Sequence, residues 1–457
     1  MLGVALASVP VAAQQQPVVL TGATLIDGTG RAPVADAVVV LHAGRIVCVG
    51  GPGACATEAA AATPIELAGH WLLPGLVDAH VHYSQTGWAD GRPDALDMRE
   101  RFPYDSTVYA LRSAPDRFYR SYLCAGVTAT FDVGGFPWTW GLRRPAEAAI
   151  EAPHVAAAGP LLSTRDHWLN LPAERQFVHI ESDSAAHAGS RYIAINSSDA
   201  IKVWFLQSEQ SPEAATYASR LQLIGRMARQ RGVPLIVHAT NLWAAKEALR
   251  AGATLLVHSV ENADVDDEFL ALMRANDAVI TPTLTVYQGY EQLRERAFRA
   301  QRIDTRCVDP ATLAKAFLTD SLAGRPAPGE VRARRARSAA RYAQMLRNTK
   351  RIHDAGITVA LGTDAGNPLT LPGASAVVEA EAMVEAGLTP MAVIVAATRN
   401  GARAMRRGGD FGTVETGKLA DLLVLAADPL SDIGNLRRVE LVIRGGHLWT
   451  RGELQYR

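Results

Sequence analysis

The chain has 457 residues, enough for a large core and more than one structural unit. Lysine plus arginine number 46, and so do aspartate plus glutamate, so no global charge recruits nucleic acid or an acidic membrane surface. With 48% hydrophobic and 20% charged residues and no low-complexity tract, the composition is that of an ordinary globular protein.

The chain opens on MLGVALASVPVAAQQQP, a short apolar run ending in small residues and a glutamine cluster. This predicts a secretory signal peptide over 1–16, cleaved near Ala13, and hence a periplasmic or secreted protein. The run is too short to span a bilayer, and no stable membrane insertion is expected. No Lys or Arg precedes it, a departure from the usual basic start; a frayed end of a cytoplasmic protein is the plainer alternative. None of the four cysteines, Cys48, Cys55, Cys124 and Cys307, shows CxxC spacing, so no thiolate metal site is expected. In an exported protein Cys48 and Cys55 would close a small loop across the turn-rich CVGGPGAC; buried free thiols are the alternative.

Residues 17–70 read as short strands between turns, VVLTGATLIDGTG and then DAVVVLHAGRIVCVGG. Residues 409–457 repeat that texture in GTVETGKLADLLVLAADPL and VELVIRGGHLW, so the two ends are expected to form one small β module. Between them, over 71–408, eight apolar stretches alternate with helix-patterned sequence: GLVDAHVH, VTATFDV, PHVAAAG, DAIKVWF, PLIVH, TLLVH, AVITP and TVALGTD. Near-continuous apolar runs fit strands buried on both faces, and eight βα repeats predict an α/β fold with a parallel barrel. The connection between the seventh and eighth strands is too long, with an Arg-rich helical insertion expected at about 285–350. Its charges either face water, or cover the barrel mouth as a lid or dimer surface where one meets a substrate carboxylate.

Polar residues stand where these strands end. His80 and His82 close the first, two apart and therefore on one face. His238 and His258 close the fifth and sixth, Asp364 closes the eighth, and Lys202 lies inside the fourth, in AIKVWF. Active-site groups of such barrels sit at the C-terminal ends of strands. A single histidine there is ordinary core; four on three strands at equivalent positions point to metal ligation by neutral imidazole. Lys202 among Ile, Val, Trp and Phe carries a large desolvation penalty as an ammonium. A neutral amine reacts with carbon dioxide to give a carbamate, whose two oxygens can bridge two cations. Asp364 reads either as a helix N-cap or, in this company, as ligand and proton acceptor.

PGLVDAHVH, AGVTATFDVGG, DAIKVW, VHA, LLVHSVE, LGTDAG and VETGKLADLLVLAADPL together resemble the amidohydrolase superfamily over essentially the whole mature chain. The resemblance implies a (β/α)8 TIM barrel with a β-sandwich made from both termini, and a subtype with two divalent ions. It implies that His80, His82 and Asp364 hold the more buried ion and His238 and His258 the more exposed one. Carboxylated Lys202 would bridge the two. The implied reaction is cleavage of an amide bond by a metal-bridging hydroxide, with Asp364 as general base and then acid. Zinc is the expected metal from imidazole and carboxylate ligation.

The one-metal deaminases of the superfamily carry a His-x-x-Glu arrangement after strand five; here HATN stands there, which argues against a deaminase and a close imidazolonepropionase. The nearer resemblance is to metal-dependent dipeptidases, making a dipeptide or N-acyl amino acid the expected substrate; a homo-oligomer is compatible with this reading. An esterase or lactonase, or a cyclic-amide hydrolase, using the same centre is the alternative. His167 in GPLLSTRDHWLN is a candidate donor to the substrate carbonyl, and Tyr287 in TLTVYQGY a candidate carboxylate contact. Both also read as surface-loop residues. Asp132 in FDVGG reads as a group orienting a ligand from behind, or as a turn carboxylate.

Overall fold

A computed structural model of the chain describes residues 16–456; the expected signal peptide, but for Gln16, lies outside them. The barrel strands are Leu76–Val81, Val127–Asp132, His154–Ala157, Ile201–Trp204, Leu235–His238, Leu255–Val257, Val279–Thr281 and Thr358–Val359. Each falls inside one of the eight apolar stretches, and every residue of the first three is buried. The third strand is interrupted. His154–Ala157 pairs in parallel with the second strand, and after a break at Gly159 the chain resumes as Leu161–Ser163, which pairs with the fourth. Gly159 has φ +65, and a Cβ there would meet the Trp140 ring at 2.2 Å, so the break needs glycine. A further strand, Phe177–His179, adds beside Leu161–Ser163 and has no counterpart in the sequence reading.

Strands four to eight pair in parallel in sequence order. The ring closes between the eighth strand and the first through backbone bonds: Ala79 N–H to Leu361 O at 3.0 Å, Asp364 N–H to His80 O at 2.7 Å and His82 N–H to Ala365 O at 2.8 Å. These bonds bring the ends that carry His80, His82 and Asp364 side by side.

Both termini build one eight-stranded sheet. Leu422–Leu425 from the C-terminal part pairs antiparallel with Trp71–Pro74, which pairs in parallel with Val18–Leu25. Ile46 from one end of the sheet shares a core with Leu422 and Ile443 from the other, so the sheet wraps round its own interior. Trp71–Pro74, assigned to the barrel on sequence, thus belongs to the terminal sheet. The chain enters the barrel at Gly75, where a Cβ would collide with Thr128 at 2.2 Å.

The long connection holds helices Val286–Glu295, Pro310–Leu318 and Pro328–Asp354. The last buries Met345, Asn348, Thr349 and Ile352, while most of its arginines are exposed or half-buried. Two disulfides are present. Cys48–Cys55 closes the expected loop, and Cys124–Cys307 ties the helix Tyr119–Cys124 to the insertion across 183 residues of sequence. Among the described residues no helix is long and apolar enough to cross a membrane.

Candidate metal centre and its cleft

Strand ends bring the six candidate ligands to one rim. His82, Lys202, His238, His258 and Asp364 line a cleft of about 330 Å3, and His80 lies fully buried against them. Asp364 Oδ1 is 3.2 Å from His80 Nε2 and 2.9 Å from His82 Nε2, and Oδ2 is 4.0 Å from His258 Nε2. The rings of His80 and His258 are 5.0 Å apart, and those of His238 and His258 4.3 Å. One potential ligand atom from each of His80, His258 and Asp364 falls within a 4.8 Å span. His258 and Asp364 both have left-handed backbones, φ 77 and 63, a strain that persists only where the surroundings over-determine it.

Hydrogen bonds select the free nitrogens. His82 Nδ1 faces Gly134 O at 2.6 Å; a carbonyl only accepts, so Nδ1 carries a proton and Nε2 is the nitrogen turned to Asp364. His258 Nδ1 contacts Thr283 Oγ1 at 2.7 Å, leaving its Nε2 turned to Asp364. His80 is wholly buried: its Nδ1 has no hydrogen-bond partner, and its Nε2 faces Asp364 Oδ1. Burial pushes His80 down to about 4, His238 to about 3 and His258 well below its ordinary value, so all three are neutral at pH 7. Burial pushes the Asp364 carboxyl up, but His80 and His82 together hold it well below the usual carboxylate range. Orphaned lone pairs, neutral imidazoles and an ionised buried carboxylate fit a divalent cation of zinc's type.

Behind these residues stand buried carboxylates. Asp78, two residues before His80, accepts from Thr363 N–H at 3.0 Å and Thr363 Oγ1–H at 2.6 Å, fixing the turn that presents Asp364. Burial raises Asp78 to about 7. Asp132 accepts from Tyr83 N–H at 3.1 Å and Gly134 N–H at 3.0 Å, so it is a turn carboxylate that, through Gly134, also orients His82. Glu379 accepts from Leu284 and Thr285 N–H at 2.7 and 2.9 Å, holding the loop that carries Thr283. Asp78 was readable as a carboxylate on the same strand face as His80 and His82; Glu379, far along the chain, gave no such signal.

Of the two candidate substrate contacts, Tyr287 lines the cleft, but its hydroxyl bonds Glu261. His167 is not among the cleft-lining residues. Its ring packs on Phe177 and Trp204, with Nε2 3.9 Å from Asp94 and Nδ1 accepting from Leu169 N–H. The insertion does bring a basic residue to the cleft, Arg341, whose Nε is 3.3 Å from Glu261. Sequence reasoning missed Arg92, Tyr290 and Asn367, which also line it.

A parallel barrel with imidazole and carboxylate groups gathered at the C-terminal strand ends has the architecture of a TIM-barrel hydrolase, with a candidate metal site at its mouth. The chain belongs to the amidohydrolase family, whose model matches residues 71–449, and is a hydrolase acting on carbon–nitrogen bonds. Among curated proteins it is similar to imidazolonepropionase of Aromatoleum aromaticum, 28% identical over 416 residues, covering 85% of this chain and 84% of that one. Among solved structures it is similar to a Xaa-Pro dipeptidase with methionine bound in its active site, 22% identical with a TM-score of 0.69, covering 95% and 100%. It is also similar to A. niger ochratoxinase, 21% identical with a TM-score of 0.72, covering 95% and 96%. These two likenesses establish the fold alone.

Proposed function

We propose that the protein is a binuclear metal-dependent hydrolase cleaving the amide bond of a dipeptide or N-acyl amino acid. His80, His82 and Asp364 would hold one ion and His238 and His258 the other, with carboxylated Lys202 as a ligand shared by both; zinc suits the donor set. The observation that carries this reading is Lys202, 2% exposed on a barrel strand yet lining the histidine-rich cleft. Burial pushes its amine down to about 8, which raises the neutral fraction at pH 7. The neutral nitrogen adds to carbon dioxide: an N–C bond forms as one C=O π bond opens onto oxygen, and the nitrogen releases one proton.

The ions, when bound, polarise the scissile carbonyl and lower the pKa of a water. The chain's own work is proton transfer and orientation. Asp364 takes the proton that the attacking water loses and gives it to the leaving nitrogen as the C–N bond breaks. The products are a carboxylic acid and an amine. Gly134 and Thr283 hold the His82 and His258 rings, so these two groups are oriented before substrate arrives.

The likeness to imidazolonepropionase favours a second reading, hydrolysis of a cyclic amide. Against it stand Lys202 and the sequence HATN after the fifth strand. Zinc-loaded protein assayed on dipeptides, N-acyl amino acids and cyclic amides separates the two. Turnover of linear substrates is expected; turnover confined to cyclic amides, or none, contradicts the reading. We propose also that the protein works outside the cytoplasm, a view supported by its two disulfides.

A further inference from the structure

Asn367 lies three residues beyond Asp364, 1% exposed, in the turn where Gly366 has φ +107. A Cβ at Gly366 would meet His82 O at 2.5 Å, so the turn is pressed against the first barrel strand. The Asn367 side chain has two distinguishable ends. One contacts Arg92 and, at 2.6 Å, the Tyr290 hydroxyl. A guanidinium has donors only, so the atom facing it is the oxygen Oδ1, and the amide orientation follows. The other end is therefore the NH2 group, which donates to Asp364 Oδ1 at 2.7 Å.

Arg92 is itself immobilised. Its Nε and Nη2 donate to Asp94 at 2.9 and 2.8 Å, and its guanidinium carbon stands 5.8 Å from the centre of the Tyr290 ring. Arg92 follows the first barrel strand, whereas Tyr290 sits on the insertion helix Val286–Glu295. The two walls of the cleft thus meet on one amide oxygen, and that amide grips one oxygen of Asp364. Oδ2 accepts no hydrogen bond from the described side chains and is the oxygen left for proton transfer.

We propose that Asn367 is the positioning residue for Asp364, with Arg92 and Tyr290 fixing its amide so that Oδ1 is held and Oδ2 is free to work. The proposal deepens the reading of Asp364 as ligand and proton carrier, and rests on it for its kinetic consequence. Removing a group that orients a metal ligand from behind costs about 10–100-fold in metal affinity or activity.

The test compares N367A and Y290F with the unaltered protein by three readouts. Crystal structures report the Asp364 rotamer, competition with a chelator reports zinc retention, and steady-state kinetics report kcat and KM separately. For N367A the expected results are a displaced Asp364 carboxylate and zinc retention weakened about tenfold. Its kcat should fall about 10–100-fold with KM within about threefold, a split that general loss of structure would not produce. Y290F should move the same way by a smaller factor, and it decides the matter if N367A does not fold. A displaced carboxylate or a tenfold loss supports the proposal. An unmoved Asp364 with zinc retention and kcat both within about threefold of the unaltered protein overturns it. Unaltered protein that takes up zinc and hydrolyses no amide would fail the proposed function, while the rotamer and zinc readouts would still decide the role of Asn367.

Discussion

His82 Nδ1 donates to the carbonyl oxygen of Gly134 at 2.6 Å, and this one contact decides which nitrogen of His82 is left for a cation. Gly134 is placed in turn by Asp132, which accepts the Gly134 and Tyr83 amides. Removing that carboxylate with Asp132→Ala leaves two buried N–H groups unpaired. Each unpaired group costs about 1–3 kcal/mol, and zinc retention is expected to fall about 10–100-fold as the His82 ring loosens. Denaturant unfolding and chelator competition check the two effects; wild-type zinc retention would show that Asp132 serves the turn alone.

The strand ends were legible because their physics is local. An apolar run followed by histidines two apart needs only the alternation of a strand to place both imidazoles on one face, and His238, His258 and Asp364 follow from the barrel's repeating geometry. Contacts made by folding back were not legible. Arg92 reaches Asn367 across 275 residues, and Cys124 reaches Cys307 across 183, with nothing local to announce either. Tyr287 was legible as a cleft residue, but Glu261 takes up its hydroxyl, a partner that spacing cannot reveal. The break at Gly159 follows from the Trp140 ring packed against it, again a tertiary cause.

The Cys124–Cys307 bridge anchors the insertion that forms one wall of the cleft. Close by, Asp309 pairs with Arg117 at 3.0 Å, and further along Lys315 pairs with the buried Asp90. Replacing both cysteines by serine is expected to lower stability by about 2–5 kcal/mol. Thermal unfolding with and without a reductant checks this: the unaltered protein should lose Tm on reduction, and the double variant should not lose this bridge's share again.

A second histidine, His154, makes stability depend on pH. It is 1% exposed on the third barrel strand, with Nε2 2.7 Å from Asp421 and Nδ1 2.8 Å from Glu147, and its ring stacks on Phe411. Arg444 lies 3.2 Å from Nδ1, and Arg407 pairs with Glu147. Burial pushes the imidazole down, but the two carboxylates outweigh it and raise the pKa. The His154 contribution is therefore full below its unfolded value of about 6.5 and is lost as pH rises through the raised value. Asp421 is shifted the other way: burial pushes it up, but His154 and Arg444 hold it low. Its contribution is present above about 3.9 and lost as pH falls through the depressed value. The Tm gap between the unaltered protein and His154→Gln should accordingly be wider at pH 5.5 than at pH 9; an equal gap would contradict the charged pairing.

The central claim is that Lys202 joins two ions into one hydrolytic centre. Counting bound metal per chain by elemental analysis, in unaltered protein and in Lys202→Ala, together with amide hydrolysis, tests it most directly. About two ions are expected in the active unaltered protein, and no more than about one in the variant, with activity lost. An unaltered protein fully active with a single ion or none, or a Lys202→Ala variant that keeps both its metal and its turnover, would contradict it.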